Sequence, residues 1–218
     1  MEGAMPTYTP TTPDGIVELC LSHVTARGGR VVVVIDGADA ARPDDLADRL
    51  ADRLRAVGRA AGVVRMSDYL RAASLRFEYG HTDQESYRSG WFDYRAVDRE
   101  VVSALRVAGR WLPRLWDAEQ DRSFRDRRVD AAPDQVLILA GPMLVGRHLD
   151  VDLTIRLRMS EATLRRISPP DTAWTIEPIL RYSEASGDAD IEVRYDHPDR
   201  PAVAVNDPRS TRHPDRTC

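Results

Sequence analysis

The fold is decided by one stretch of the chain, VVVVIDGADAARPDD at residues 31–45. It begins with five consecutive β-branched residues, Val31 to Ile35. Such a continuous run is typical of a central parallel strand that is buried on both faces. A short loop follows, and then Pro43 suits the first position of a helix, with Asp44 and Asp45 in its first turn, where the helix dipole favours carboxylates. The helix is indicated by apolar residues at spacings of four and three: Leu46, Leu50, Leu54 and Val57.

Further strands and helices alternate outward from this stretch. Strands are predicted at Gly62–Met66, Val136–Ala140, Val151–Leu157 and Ile191–Tyr195, the third of these with one wetter face because its apolar residues alternate with polar ones. Helices are predicted at 16–24, 97–105, 160–167 and 174–185. This alternation indicates an α/β fold with a mainly parallel sheet flanked by helices. Ligands bind at the carboxyl ends of the strands in such folds, which places them at residues 36–43, 67–93 and 140–147.

The pattern predicts one domain at residues 14–206, preceded by an extended lead-in at 1–13. The polar residues at 207–218 are expected to form a disordered tail. Inside the domain, residues 67–132 and 165–188 have weak periodicity and are rich in aromatic and charged side chains. We expect them to face the ligand and to form a small lid.

Composition excludes several classes of protein. The net charge of −4 and the pI of about 5.8 leave no basic surface for nucleic acid. The two cysteines, Cys20 and Cys218, lack metal-ligand spacing, so no metal site is expected, and they fit a reducing cytoplasm. The sequence shows neither a long apolar run nor a signal segment, so no contact with a membrane is expected. All 31 basic residues are arginine, and lysine does not occur.

The order of these features resembles the uridine kinase family of P-loop phosphotransferases, over residues 30–206. The resemblance is greatest to a divergent branch from high-GC bacteria. It is carried by the spacing of several segments: the strand and loop at 31–37, SDYLR at 67–71, YRSGWFDY at 87–94, PRLWD at 113–117, and Arg165-Arg166. The resemblance implies a P-loop NTPase fold, of the nucleoside-monophosphate-kinase type, with a small lid.

The resemblance also implies which residues bind ligands. Gly37, Ala38, Asp39 and Arg42 occupy the phosphate loop. Asp93 would accept hydrogen bonds from ribose hydroxyls, while Tyr87, Trp91 and Trp116 would stack on a base or, alternatively, only close a lid. Three arginines would meet phosphate or belong to the lid: Arg122, Arg165 and Arg166. The aspartates interleaved near Arg122 are more typical of a self-paired, solvated surface.

The phosphate loop departs from the pattern G-x-x-x-x-G-K-[ST], which cradles phosphates. Its second glycine is replaced by Arg42, its lysine by Pro43 and its hydroxyl residue by Asp44. We expect Arg42 to resist the backbone conformations that glycine adopts there, and Pro43 supplies no N–H donor. Asp44 places negative charge where a phosphate would sit. Arg42 either reaches over a nucleotide or pairs with a neighbouring aspartate.

The catalytic positions are also altered. Ser67 stands where the family has a carboxylate general base, so Asp68 is the remaining candidate if the register is shifted by one residue. Ala140 stands where an aspartate would help hold magnesium. We therefore predict a catalytically impaired module that binds a nucleoside, a nucleotide, a protein partner or a second copy of itself, with no high-affinity cofactor. The alternative is an active uridine kinase that uses ATP and magnesium through Arg42 and Asp68.

Overall fold

The computed structural model describes residues 7–197 and 199–206. The first six residues of the expected lead-in and the expected tail at 207–218 lie outside the described residues. Within the lead-in, Thr9–Pro10 forms a short strand and a helix begins at Pro13.

A seven-stranded sheet forms the centre of the molecule, in the order β1-β11-β10-β9-β2-β8-β3. Its strands are β1 (Thr9–Pro10), β2 (Val31–Gly37), β3 (Ala61–Arg65), β8 (Val136–Gly141), β9 (Leu153–Arg158), β10 (Ile191–Arg194) and β11 (Ala202–Val205). The five strands from β3 to β10 in this order are parallel, and β11 and β1 are antiparallel to their neighbours. Two short ladders lie outside this sheet: β4 (Arg110–Trp111) with β7 (Val129–Asp130), and β5 (Trp116–Asp117) with β6 (Arg122–Ser123).

Helices flank both faces of the sheet. They are α1 (Pro13–Thr25), α2 (Pro43–Ala56), α3 (Ala73–Arg76), α4 (Gln84–Gly90), α5 (Tyr94–Val97), α6 (Ser103–Ala108), α7 (Glu161–Ile167) and α8 (Ile176–Ala185). A π-helical stretch, Asp98–Val102, joins α5 and α6 into one continuous helix, and short 3-10 turns lie at Asp39–Ala41, Met66–Tyr69 and Ala173–Thr175. No helix among the described residues combines the length and the apolar character needed to cross a bilayer.

The β-branched run is buried on both faces, as its sequence predicts. Val31, Val33 and Ile35 contribute to the core beneath α1 and α2. Val32 and Val34 contribute to the opposite core, which is shared with the helix at 94–108. The mainly parallel α/β sheet is confirmed, because all four strands predicted around the decisive stretch lie in it.

The expectation that one face of β9 is more exposed to solvent is wrong at one position. Arg156 is only 3% exposed. In the sheet it lies level with Asp36 of β2 on one side and Glu192 of β10 on the other. Its Nη1 is 3.2 Å from Glu192 Oε1, and its Nε is 3.9 Å from Asp36 Oδ2. Neighbouring carboxylates therefore allow this charge to be buried, which the alternating pattern of one strand does not reveal.

Candidate functional site

A cavity of about 640 Å³ opens at the carboxyl ends of β2, β3 and β8. Its lining includes Ser67 after β3, and Ala140 and Gly141 at the end of β8. Gly141 has a φ of +144°, and a Cβ there would lie 2.6 Å from the Met66 side chain. Glycine is therefore required for the ends of β3 and β8 to approach so closely.

The loop between β2 and α2 is closed by its own hydrogen bonds. The N–H of Ala41 donates to Ala38 O at 2.8 Å, and the N–H of Arg42 donates to Asp39 O at 2.9 Å. The next residue, Pro43, begins α2 and has no N–H. Three consecutive backbone positions in this loop therefore offer no free N–H donor to a ligand in this conformation.

Arg42 adopts the left-handed conformation, with φ 55° and ψ 53°. The expectation that an arginine would avoid the glycine conformation here is therefore wrong. This conformation costs a non-glycine residue roughly 1–2 kcal/mol. The guanidinium of Arg42 forms an ion pair with Asp45, and both residues line the cavity.

Carboxylates dominate the side of the cavity formed by this loop and α2. We call Asp39, Asp44 and Asp45 the acidic floor. Burial raises the pKa of Asp44 to about 6, although the charge of Arg65, with its Nε 3.6 Å from Asp44 Oδ2, opposes the rise. The negative charge of Asp39 adds to it. A fourth aspartate, Asp171, also lines the cavity, from the loop after α7.

Six ring side chains line the cavity away from the acidic floor. We call them the aromatic wall: Phe77, His81, Tyr87, Trp91, Phe92 and Trp174. Tyr87, Trp91 and Trp174 are mutually in contact, with each pair of ring centroids 5.2 Å apart. A backbone hydrogen bond holds Trp91 against the chain that follows β3: the N–H of Arg71 donates to Trp91 O at 2.8 Å.

Some of the residues predicted from sequence meet in this cavity. Tyr87 and Trp91 belong to its aromatic wall, while Asp39 and Arg42 lie on the side of the loop. Gly37 and Ala38 are buried and line a smaller cavity of about 80 Å³.

Asp68 lies in the 3-10 turn after β3 and is not among the described lining residues, whereas its neighbour Ser67 is exposed and lines the cavity. Burial raises the pKa of Asp68, and the positive charge of Arg114 opposes this rise.

Five other predicted residues do not appear among the described residues that line the cavity. Asp93 caps α5, because its Oδ1 accepts the N–H of Ala96 at 2.9 Å. Trp116 donates its indole N–H to Asp121 Oδ1 at 3.1 Å. The remaining three are exposed arginines of β6 and α7: Arg122, Arg165 and Arg166.

Sequence reasoning did not single out four members of the aromatic wall: Phe77, His81, Phe92 and Trp174. They lie in short helical turns and loops that have no periodic pattern. The available signal was compositional, because residues 67–93 are rich in aromatic side chains and Trp174 follows closely on a pair of prolines. Among the described residues, no group of three or more histidine, cysteine, aspartate or glutamate side chains is arranged to hold a metal ion.

Comparison with solved structures finds several proteins of similar architecture. A possible uridine kinase from Bacillus stearothermophilus superposes with a TM-score of 0.62 at 20% identity, covering 78% of this chain and 91% of its own. A protein assigned as a fructose transport system kinase from Silicibacter sp. TM1040 gives a TM-score of 0.65 at 21% identity, with 84% and 98% covered. D-glycerate 3-kinase from Cryptococcus neoformans gives 0.51 at 12% identity, with 79% and 81% covered.

No protein-family model and no curated protein sequence matches the chain. At these identities the structural likeness concerns the fold. The chain therefore shares a helix-flanked, mainly parallel sheet with these proteins.

Proposed function

We propose that this protein is a nucleoside-binding module on a P-loop kinase fold, with little or no capacity for phosphoryl transfer. The observation that carries the proposal is a single cavity with an aromatic wall beside a phosphate-loop position occupied by carboxylates. The aromatic wall suits a planar base, and the carboxylates oppose the binding of a triphosphate.

The aromatic wall supports the nucleoside half of the proposal. Tyr87, Trp91 and Trp174 present large apolar ring surfaces to a cavity of about 640 Å³, a size typical of small-molecule sites. Stacking of a base on an aromatic side chain contributes about 1–3 kcal/mol. Uridine and cytidine are the nucleosides that the family resemblance favours.

The loop supports the other half. A triphosphate needs several backbone N–H donors and a nearby cation. Here the N–H groups of Ala41 and Arg42 are already bonded within the loop, and Pro43 has none. Two unit charges about 4 Å apart repel by roughly 4 kcal/mol at an effective dielectric of 20, so a phosphate close to Asp44 would be opposed. The residues present therefore do not fit a bound ATP triphosphate with magnesium.

A general base is also lacking at the position that faces the cavity. Ser67 lines it, and a serine hydroxyl is a poor acceptor for the proton of a substrate hydroxyl. Asp68 lies in the same turn but outside the described lining. Loss of a general base alone lowers a rate by roughly 10²–10⁴.

Two measurements on the unmodified protein test the proposal. Calorimetry is expected to detect uridine or cytidine binding but no low-micromolar binding of Mg·ATP. A radiolabel transfer assay is expected to show no phosphorylation of uridine at ordinary kinase rates. Ordinary turnover would overturn the proposal and favour the alternative of an active kinase that uses Arg42 and Asp68.

A further inference from the structure

The two sides of the cavity have opposite chemical character and lie close together. The aromatic wall contributes apolar ring faces, whereas the acidic floor contributes carboxylates. Burial raises the pKa of the Tyr87 hydroxyl, and the negative charge of Asp39 raises it further. Asp39 and Tyr87 line the same cavity, so a ligand there can contact both the floor and the wall.

Negative charge prevails on the acidic floor. The dipole of α2 contributes about half a positive charge at its first turn, which the two carboxylates there outweigh. Arg42 adds one positive charge but is already paired with Asp45. Arg65 approaches Asp44, yet it bonds at 2.6 Å to Asp48, which is not among the described lining residues. A ligand group seated here therefore meets a net negative potential.

A positive charge already lies against part of the aromatic wall. The guanidinium carbon of Arg76 is 4.8 Å from the ring centroid of Phe77 and 5.4 Å from that of Trp91. Arg76 itself is buried and is not among the described lining residues. A second cation against these two rings would be repelled, so the favourable place for a ligand cation is the acidic floor.

The carboxylates suit an organic cation better than a metal ion. Among the described residues they do not converge into a set of three metal ligands. A protonated amine needs only one or two carboxylate acceptors within hydrogen-bond distance, because its remaining donors can reach water.

We infer that the cavity selects ligands that join a planar ring to a protonated amine, with the ring on the aromatic wall and the amine at the acidic floor. This inference rests on the proposed function in one respect: both place a planar ring in the same cavity. It assigns Asp39 and Asp44 as the residues that set the preferred charge of the ligand.

Calorimetry with two sets of matched probes tests this inference on the full chain at pH 7.5. The first set is 5′-amino-5′-deoxyuridine, uridine and uridine 5′-monophosphate, which share one nucleoside and differ in charge. We expect the amine to bind about fivefold tighter than uridine and the phosphate to bind weaker by a similar factor. The second set is tryptamine and indole-3-propionate, which share an indole ring, and we expect tryptamine to bind tighter.

Variants locate the source of the preference. Asp39→Asn and Asp44→Asn each remove one negative charge with almost no change in shape, and each is expected to reduce the preference for the amine several-fold. Asp52→Asn is the matched control. It removes the same charge from the same helix, at an exposed position where the Asp52 carboxylate pairs with Arg55. Thermal melting verifies that all three variants fold.

The outcomes separate this inference from the proposed function. Uridine binding with no preference for its amine overturns the inference and leaves the proposed function standing. A preference for tryptamine without any nucleoside binding supports the inference and overturns the proposed function. Equal loss of preference in Asp52→Asn would show that general charge, not the acidic floor, is responsible, and would overturn the inference. Binding of none of the probes overturns both.

Discussion

The guanidinium of Arg42 forms an ion pair with the carboxylate of Asp45, three residues further along the chain, and both side chains line the main cavity. Both are well exposed, so the pair contributes only about 0–1 kcal/mol. A phosphate could release Arg42 from this pair at little cost. The loop also differs from the phosphate-loop pattern at Pro43 and Asp44, and the chain contains no lysine.

Restoring the loop should restore nucleotide affinity without restoring turnover. The triple variant Arg42→Gly, Pro43→Lys and Asp44→Ser returns a cation, a backbone N–H and a magnesium-binding hydroxyl. Glycine also suits the left-handed conformation that Arg42 adopts. We expect calorimetry to show at least about a tenfold gain in Mg·ATP affinity, equivalent to 1.4 kcal/mol. A triple variant with unchanged affinity would contradict this explanation of the loop.

Turnover should require a carboxylate at position 67 as well. Ser67 is exposed and lines the cavity, so Ser67→Asp is sterically tolerated there. Added to the triple variant, it should raise uridine phosphorylation by roughly 10²–10⁴ over the triple variant alone. Radiolabel transfer measures both, and the control is Ser67→Asn in the same background, which adds similar bulk without a base. Equal rates for the two additions would exclude a general-base role.

Trp174 should contribute directly to ligand binding. Trp174→Ala removes a ring of the aromatic wall, and we expect uridine affinity to fall by about tenfold, within the 1–3 kcal/mol range of a base stack. Trp116→Ala is the matched control, since Trp116 is also partly exposed but lies outside the described lining. Calorimetry compares the two after melting curves confirm folding. Equal losses of affinity would contradict the assigned cavity.

We expect Asp93 to contribute to the stability of the fold and not to ligand affinity. Its carboxylate accepts the Ala96 N–H at 2.9 Å at the N-terminus of α5. Loss of such a cap costs about 1 kcal/mol, so Asp93→Ala should lower the free energy of unfolding by that amount and leave uridine affinity unchanged. Asp93→Ser retains a capping side chain and should recover most of the stability. Loss of uridine binding in both variants would instead support the ribose contact that the family resemblance implies.

Asp36 should make stability depend on pH. Burial raises its pKa from 3.8 to about 6, despite the hydrogen bond from the Val145 N–H and the charge of Arg156. The folded protein therefore retains a proton that the unfolded chain has lost between these two values. The stability due to this proton is present in full below pH 3.8 and is lost as the pH rises through about 6.

The comparison with Asp36→Asn isolates this effect. The variant cannot titrate at position 36, so the difference in unfolding free energy between the two proteins should change by about 3 kcal/mol from acid to neutral pH. Urea unfolding at several pH values from 4 to 8 measures it. Parallel pH profiles for the two proteins would show that Asp36 does not titrate differently in the folded state.

Local sequence predicted the elements of the fold well where burial follows a regular period. The run from Val31 to Ile35 could only satisfy both of its apolar faces between two layers of helices, and the repeat from Leu46 to Leu54 places one face of α2 on the sheet. The departures from the phosphate-loop pattern at Pro43 and Asp44 are read from the sequence directly, because they depend on residue identity and not on packing. β11 was not predicted, since its four residues are small and apolar and are recognisable as a strand only beside β10.

Tertiary structure alone decided which side chains meet. Trp174 and Tyr87 are 87 positions apart in sequence, yet their ring centroids are 5.2 Å apart, and no local period encodes such a contact. The burial of Arg156 likewise depends on carboxylates contributed by two other strands. The sequence by itself determined the sheet, the flanking helices and the departures from the phosphate-loop pattern, because these depend on periodic burial and on residue identity. The path of the chain determined the cavity, because it brings aromatic and acidic residues from distant segments to one edge of the sheet.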